Sequence, residues 1–316
     1  FILYGAVNRA RTRDASSFSI RENCSRSNYK GSELSNIERY LHASYQSSKA
    51  VTKSFSTSFT LGIYSLSKKL RKPIYGIYGF VRIADEIVDT FFNTDQATVL
   101  DEFESATYSA IDTKYSPNLI LHSFQEVVNQ YEIDRELIIA FFSSMRSDLT
   151  EKEHSQKSLD QYVYGSAEAV GLMCLKIFVE GNQEAYDKLE YSAKKLGSAF
   201  QKVNFFRDIH EDYFDKGRTY FPAFDIDQNL NEEVKKLIES EIASEFSEAK
   251  KGIYQLPSTS RFGVLLACRY YEKLFSKLQS TPAKRLSTRR IRINNFQKML
   301  LIPSTYALSL LRGFNR

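Results

Sequence analysis

Helical periodicity extends over most of this 316-residue chain. Apolar residues recur three or four positions apart in several long segments, and one nearly continuous apolar stretch follows Pro73. These segments are residues 74–88, 137–149, 185–212, 232–254 and 261–278. Only 13 Gly and 6 Pro interrupt the chain, alternating strand-like runs are scarce, and no repeat of solenoid length is visible. The sequence therefore predicts a single all-α domain.

The first 36 residues differ from the rest of the chain. They are rich in Ser, Arg and Asn and poor in apolar residues, so we expect a disordered leader at 1–36 and the folded domain at 37–316. A targeting peptide is the alternative interpretation, because this segment is short of acidic residues. No apolar run reaches the length of a membrane span. We therefore expect a cytoplasmic protein.

The C-terminal segment is strongly basic. Residues 284–316 contain eight Lys or Arg and no acidic residue, whereas the central part of the chain is net acidic. A nucleic-acid binder would instead spread basic residues over a groove, so nucleic acid is not an expected partner. The basic segment favours either peripheral contact with the inner face of an anionic membrane or contact with a phosphorylated substrate.

Cysteine and histidine patterns argue against two kinds of site. Cys24, Cys174 and Cys268 are far apart in sequence, so neither a disulfide framework nor a zinc site is expected. The four histidines show no metal-ligand spacing. Transition-metal chemistry is therefore not expected.

Two aspartates four positions apart end the apolar stretch after Pro73. Asp85 and Asp89 share one face of the predicted helix, where two like charges repel each other. Burial of both carboxylates requires a compensating cation. Taken alone, this pair fits either a cation site or a solvated stripe at the end of a core helix.

A second acidic group lies on another apolar helix. Asn204, Asp208 and Asp212 recur at intervals of one turn, next to Arg207. Mg²⁺ prefers such oxygen ligands and binds a few carboxylates together with substrate phosphates. The two groups together predict a magnesium–diphosphate site, with Mn²⁺ as an alternative ion.

Several longer motifs resemble those of the squalene/phytoene synthase family, in the same order along residues 40–300. They are KSFSTSF at 53–59, YGIYGFVR at 75–82 leading to the first aspartates, YVYGSAEAVG at 162–171, the second aspartate group, KGRTYFP at 216–222 and RRIRI at 289–293. The details are most similar to bacterial phytoene synthases. Glu86 is a departure, since many members have a third Asp at that position.

The resemblance implies an isoprenoid-synthase helical bundle around a central cavity. It also implies condensation of two geranylgeranyl diphosphates to phytoene through a cyclopropyl intermediate, in carotenoid biosynthesis. Two isoprenyl diphosphates would then be the substrates. Chain length depends on cavity depth, so squalene or dehydrosqualene synthesis from two farnesyl diphosphates remains open. A non-catalytic scaffold relative is the third alternative, although such a protein would be expected to lose its carboxylates.

The resemblance also assigns roles to individual residues. The implied metal ligands are Asp85, Asp89, Asn204, Asp208 and Asp212. The four aspartates and Tyr162 are the implied catalytic residues. The implied diphosphate-binding residues are Lys53, Ser54, Arg82, Gln201, Arg207 and Arg290.

Other implied residues would line the prenyl cavity. They are Phe55, Tyr78, Tyr162, Tyr270, Ala167, Val170 and Gly171. Aromatic rings there would exclude water and stabilise carbocations, and the three small residues would leave room for a polyprenyl chain. Ordinary core packing remains an alternative for the aromatic residues, as does close helix packing for the small ones.

Overall fold

The computed structural model describes residues 35–151, 154–212, 220, 231–286, 290–294, 297 and 300–306. Within these ranges the chain is helical and contains no strand, which confirms the all-α prediction. The helices are α1 (Asn36–Phe55), α2 (Thr57–Tyr64), α3 (Lys68–Asp89), α4 (Gln96–Thr113), α5 (Leu119–Tyr131), α6 (Arg135–Thr150), α7 (Gln156–Val163), α8 (Ala169–Phe178), α9 (Gln183–His210), α10 (Glu232–Ile253), α11 (Ser258–Gln279) and α12 (Ala283–Leu286).

Side-chain caps mark the start of many of these helices. Ser35 and Glu38 form a capping box at the start of α1. Asn118, Asn182 and Asn231 accept backbone N–H bonds at the starts of α5, α9 and α10. Because these caps satisfy N–H groups that a helix leaves unpaired, they fix where each helix begins. The predicted leader 1–36 lies almost entirely outside the described residues.

Helix α3 begins earlier than the sequence predicts. It starts at Lys68 and contains Pro73, instead of starting after that proline. Pro73 lacks an N–H and so leaves the carbonyl of Lys69 without its usual helical partner. Lys69 is exposed, so water can solvate that carbonyl. Pro73 is therefore tolerated inside α3, and the helix continues on both sides of it.

A π-helical segment, Tyr164–Glu168, joins α7 to α8 in the middle of the bundle. Gly165 lies in it, close against α6, and a Cβ there would lie 2.1 Å from the carbonyl oxygen of Ala140. Only glycine permits this approach. The extra residue of a π turn also shifts the register of the side chains that follow it.

The bundle contains an aromatic core and a separate apolar cavity. Phe80 stacks on Phe124 with 3.8 Å between ring centroids, and Phe103, Phe141 and Phe142 surround the pair. For these residues core packing is the correct interpretation. The cavity is lined mainly by α2, α8, α9, α10 and α11 and is partly open to solvent.

Candidate active site

The first acidic group lies at the C-terminal end of α3. Asp85, Glu86 and Asp89 are all buried there. Arg82 is also buried and pairs with Asp85 at 2.8 Å and with Glu86. Its guanidinium lies 4.4 Å from the centroid of the Phe55 ring. Arg82 thus supplies a positive charge for Asp85 and Glu86 from the same helix, and a metal ion at Asp85 and Asp89 stays a prediction.

The second acidic group lies at the C-terminal end of α9. Asn204, Asp208 and Asp212 are buried, with exposed fractions of 0%, 3% and 3%. Asp208 pairs with its neighbour Arg207 and, at 2.8 Å, with Arg290 from the C-terminal segment. Burial opposes the charge of Arg207, but the pairing with Asp208 outweighs it and raises the pKa of Arg207.

Arg290 brings the C-terminal segment to the acidic group. Its guanidinium also contacts Glu211 at 2.8 Å. Burial lowers the pKa of Arg290, the nearby Asp208 opposes this, and the charge of Arg207 adds to it. Two buried arginines thus share Asp208, and Glu211 is the second partner of Arg290, so the charges of these four side chains balance. Arg289, which belongs to the same motif, lies outside the described residues.

Two tyrosines lie between the acidic groups of α3 and α9. Burial raises the pKa of Tyr78, with Arg82 opposing the shift and both Asp85 and Tyr271 adding to it. The hydroxyl of Tyr271 in turn donates to Oδ1 of Asn204 at 3.4 Å. Tyr78 and Tyr271 therefore connect the surroundings of the two acidic groups through the buried interior. That the two groups hold a common ion stays a prediction.

Tyr271 is a residue that sequence reasoning missed. Tyr270, the predicted residue, is half-buried and lines the cavity, whereas Tyr271 is buried and reaches the second acidic group. Their rings meet edge to face at 5.5 Å. Adjacent tyrosines point in different directions on a helix, and the sequence alone does not show which one faces inward.

Asp148 on α6 is a second residue that the sequence analysis missed. It accepts hydrogen bonds from the hydroxyls of Tyr162 at 2.9 Å and Tyr220 at 3.2 Å. Burial, Asp148, Tyr220 and the charge of Asp89 together raise the pKa of Tyr162 well above its usual value. Tyr162 is therefore a neutral hydroxyl beside the first acidic group. Within the motif at 216–222, Tyr220 alone is among the described residues.

The remaining cavity residues are positioned by the π segment and α8. Ala167, Val170 and Gly171 all line the cavity, as predicted from the resemblance.

Gln201 is completely buried and donates a hydrogen bond to Ser166 at 3.2 Å. Its side-chain carbonyl accepts no hydrogen bond from the residues that the structure describes. That buried acceptor is available to a ligand.

Two predicted diphosphate-binding residues are exposed, unlike the buried acidic groups. Lys53 and Ser54 are exposed at the end of α1. The ammonium of Lys53 lies 5.9 Å from the Tyr64 ring centroid and, as a hydrogen-bond partner, lowers the pKa of Tyr64. Phe55, the next residue in the same motif, does contact the site through Arg82.

The chemistry of the donor set fits Mg²⁺. Four buried aspartates and one asparagine amide are hard oxygen ligands, which this ion prefers. In the part of the chain that the structure describes, no three acidic, His or Cys side chains form a ready-made metal cage. Binding of Mg²⁺ by these residues therefore stays a prediction. No helix among the described residues has the length and apolar character needed to cross a membrane.

Solved structures with the same architecture identify the fold. A dehydrosqualene synthase in complex with ligand aligns with a TM-score of 0.73 at 20% identity, covering 85% of this chain and 98% of the other. Squalene synthase HpnC from Alicyclobacillus acidocaldarius aligns with a TM-score of 0.67 at 19% identity, covering 79% and 97%. The chain therefore has the all-α isoprenoid-synthase fold, a bundle around a central cavity.

Sequence comparisons identify the family. The model for squalene/phytoene synthases matches residues 52–297. Chloroplastic phytoene synthase 2 of Solanum lycopersicum is 28% identical over 291 residues, covering 85% of this chain and 92% of the relative. Chloroplastic phytoene synthase of an Oncidium hybrid cultivar is 24% identical over 300 residues, covering 86% and 70%. The chain belongs to the squalene/phytoene synthase family, whose members are transferases that act on prenyl diphosphates.

Proposed function

We propose that this protein condenses two geranylgeranyl diphosphates head to head and forms phytoene through a cyclopropyl diphosphate intermediate. The observation that carries the proposal is the pairing of buried acidic and basic side chains on α3 and α9 beside an apolar cavity, whose lining residue Tyr271 donates a hydrogen bond to Asn204. These charged side chains suit diphosphates, and the apolar cavity suits prenyl chains. The curated relatives named above are phytoene synthases, which favours a C40 product.

The acidic side chains have a binding role in this proposal. Asp85, Asp89, Asn204, Asp208 and Asp212 would hold Mg²⁺, or Mn²⁺ in its place. When bound, the ion would neutralise the departing pyrophosphate. Arg82, Arg207 and Arg290 would then leave their present carboxylate partners in part and contact phosphate oxygens, to which arginine binds in bidentate fashion.

The cavity wall has a protective role. Departure of pyrophosphate leaves an allylic carbocation, which water would quench. The cavity wall contains four aromatic rings that exclude water, those of Phe59, Phe200, Tyr270 and Tyr271. Each ring face can stabilise a nearby cation by about 1–2 kcal/mol. Pyrophosphate itself is the proposed acceptor of the proton that is lost.

The retained carboxylates argue against a scaffold function. A non-catalytic relative would be expected to lose these carboxylates, whereas all four aspartates are present and buried in this chain. Synthesis of a C30 product from farnesyl diphosphate is the rival within the enzyme class. The solved structures named above include a dehydrosqualene synthase and a squalene synthase, so this rival needs a direct test.

We also propose peripheral contact with an anionic membrane through the C-terminal segment. Leu300 and Tyr306 are exposed there, next to Leu301 and Ile302, which line the cavity. The segment is basic, so it suits an anionic surface. A membrane would supply the prenyl substrates and receive the hydrocarbon product.

The product assay tests the proposed function. Purified protein would be incubated with geranylgeranyl or farnesyl diphosphate, with Mg²⁺, with Mn²⁺ or with a chelator, and the extracted lipids would be analysed by mass. We expect a C40 hydrocarbon from the C20 substrate, only when a divalent ion is present. A C30 product without any C40 product would replace the proposal with its rival, and no product from either substrate would favour a scaffold.

A further inference from the structure

One buried carboxylate, that of Asp148 on α6, joins three parts of the chain. Its Oδ2 accepts a hydrogen bond from the hydroxyl of Tyr162 on α7 at 2.9 Å, and its Oδ1 accepts one from the hydroxyl of Tyr220 at 3.2 Å. Tyr220 follows α9 in the chain. Asp148 therefore ties α6 both to α7 and to the chain beyond the second acidic group.

Ring packing holds the two tyrosines in place. The Tyr220 ring stacks on the rings of Phe205 and His154, with 4.2 Å and 5.5 Å between centroids. The Tyr162 ring lies 5.3 Å from the Tyr220 ring. All four side chains are buried, so the main freedom left to each phenol is rotation of its O–H about the C–O bond. Asp148 restricts that rotation, because both hydroxyls donate to it.

The direction of these hydrogen bonds follows from the chemistry of the partners. An ionised carboxylate has no proton and only accepts, whereas a phenol has one proton and two lone pairs. Tyr162 donates its single proton to Asp148. The phenol oxygen of Tyr162 therefore offers only lone pairs to any further group that approaches it.

This direction matters because Tyr162 is near the first acidic group. Burial, Asp148, Tyr220 and the charge of Asp89, in that order, raise the pKa of Tyr162 well above its usual value, so the hydroxyl keeps its proton. An oxygen lone pair in this place favours a developing carbocation or a proton-donating ligand. An O–H bond pointing the same way would repel the cation and compete for the carboxylate oxygens.

We propose that Asp148 is a positioning residue, which holds the proton of Tyr162 and so makes the phenol oxygen a hydrogen-bond acceptor beside the first acidic group. Asp148 acts through Tyr162 and does not contact the reacting atoms. The reaction that this oxygen serves is the one given under Proposed function, on which the inference rests. Tyr220 occupies the other carboxylate oxygen and helps to fix its orientation.

A purely structural role for Asp148 is the alternative. A buried carboxylate with two hydrogen bonds also stabilises the fold, and its removal would lower the free energy of unfolding in either case. Stability therefore does not distinguish the two roles. They differ in whether the effect of Asp148 on turnover passes through the Tyr162 oxygen.

A double-mutant cycle measures that coupling. The variants are Asp148→Ala, Tyr162→Phe and the two combined, with circular dichroism to verify folding. Asp148→Asn is the conservative variant, because its amide keeps one acceptor oxygen. Asp112→Ala, which removes an exposed carboxylate on α4, is the matched control.

We expect Asp148→Ala to lower kcat by at least about 30-fold and to change KM by less than about threefold. Asp148→Asn should retain more turnover than Asp148→Ala, and Asp112→Ala should behave like the wild type. In the Tyr162→Phe background, Asp148→Ala should cost less than about threefold more, because residues that act through one group are not additive. Independent, multiplicative losses would overturn the inference and leave the structural role.

Raman spectroscopy tests the hydrogen bond without catalysis. The intensity ratio of the tyrosine doublet differs between a phenol that mainly donates and one that mainly accepts, and subtracting the spectrum of Tyr162→Phe isolates the signal of Tyr162. We expect a donor ratio in the wild type that is lost in Asp148→Ala and kept in Asp112→Ala. An unchanged ratio in Asp148→Ala would overturn the inference. A lost ratio in a protein that forms no C40 product would support the hydrogen bond and refute the proposed function.

Discussion

Single residues set the charge balance of the candidate active site. Asp208 contacts both Arg207 and Arg290, and Arg82 contacts both Asp85 and Glu86. Buried charges are tolerated because each has a partner of opposite sign. A bound cation and diphosphate would give every one of these side chains a new partner.

Neutralising one aspartate on each helix tests the metal assignment. Asp89→Asn and Asp212→Asn keep the side-chain volume but remove the charge that binds a divalent ion. We expect each variant to lose at least about 100-fold in turnover, the order of effect of losing a major electrostatic contribution. The Mg²⁺-dependent rise in melting temperature, measured with an unreactive substrate analogue, should also shrink.

The matched control is Asp112→Asn. Asp112 is exposed and pairs with Arg135 at 3.1 Å on the surface. This variant should behave like the wild type, since exposed ion pairs contribute little to stability. Normal turnover by Asp89→Asn or Asp212→Asn would contradict the metal assignment.

At the scale of elements, the π segment decides which side chains face the cavity. It places Ala167 at the wall and is followed by Val170 and Gly171 on the same wall. The segment approaches α6 so closely that Gly165 has no room for a side chain. A π turn within an α-helix is a strained feature that is often found at functional sites.

Gly165→Ala tests this arrangement. The added methyl would meet the backbone carbonyl of Ala140, which cannot rotate away as a side chain could. We expect a loss of about 1–3 kcal/mol in the free energy of unfolding, the usual cost of overpacking. Urea unfolding measures it. Gly171→Ala is the comparison, because its nearest contact is 3.4 Å and its loss should be smaller.

At the scale of the whole molecule, the C-terminal segment belongs to the cavity wall. Ile291 and Ile293 are buried, Arg290 reaches the second acidic group, and Leu301 and Ile302 line the cavity. These contacts support the interpretation of a substrate-facing basic segment followed by packing residues. A truncation at residue 283 would open the cavity, so it is a poor test of membrane binding.

Surface substitutions test membrane contact without removing the cavity wall. The double variant Leu300→Ser and Tyr306→Ser removes two exposed apolar side chains. We expect it to co-sediment with anionic liposomes several-fold less than the wild type, because less apolar surface enters the interface. Tyr191→Ser, on another face, is the control. Equal co-sedimentation of all three proteins would remove the membrane proposal.

The sequence by itself determined the helices, the two acidic groups and the family resemblance. The apolar period and the one-turn spacing of Asp85 with Asp89, and of Asn204 with Asp208, are properties of single helices. Such spacing shows which residues share a face whatever the helix packs against. The described structure confirms these local predictions, with differences at Pro73 and at the π segment.

The tertiary structure decided what depends on how separate helices meet. It brings Tyr271 into contact with Asn204 and Asp148 into contact with Tyr162, and it leaves Lys53 exposed at the surface. Contacts between helices follow from packing of side chains far apart in sequence, and no local period encodes them. The lining of the cavity is therefore a property of the assembled bundle.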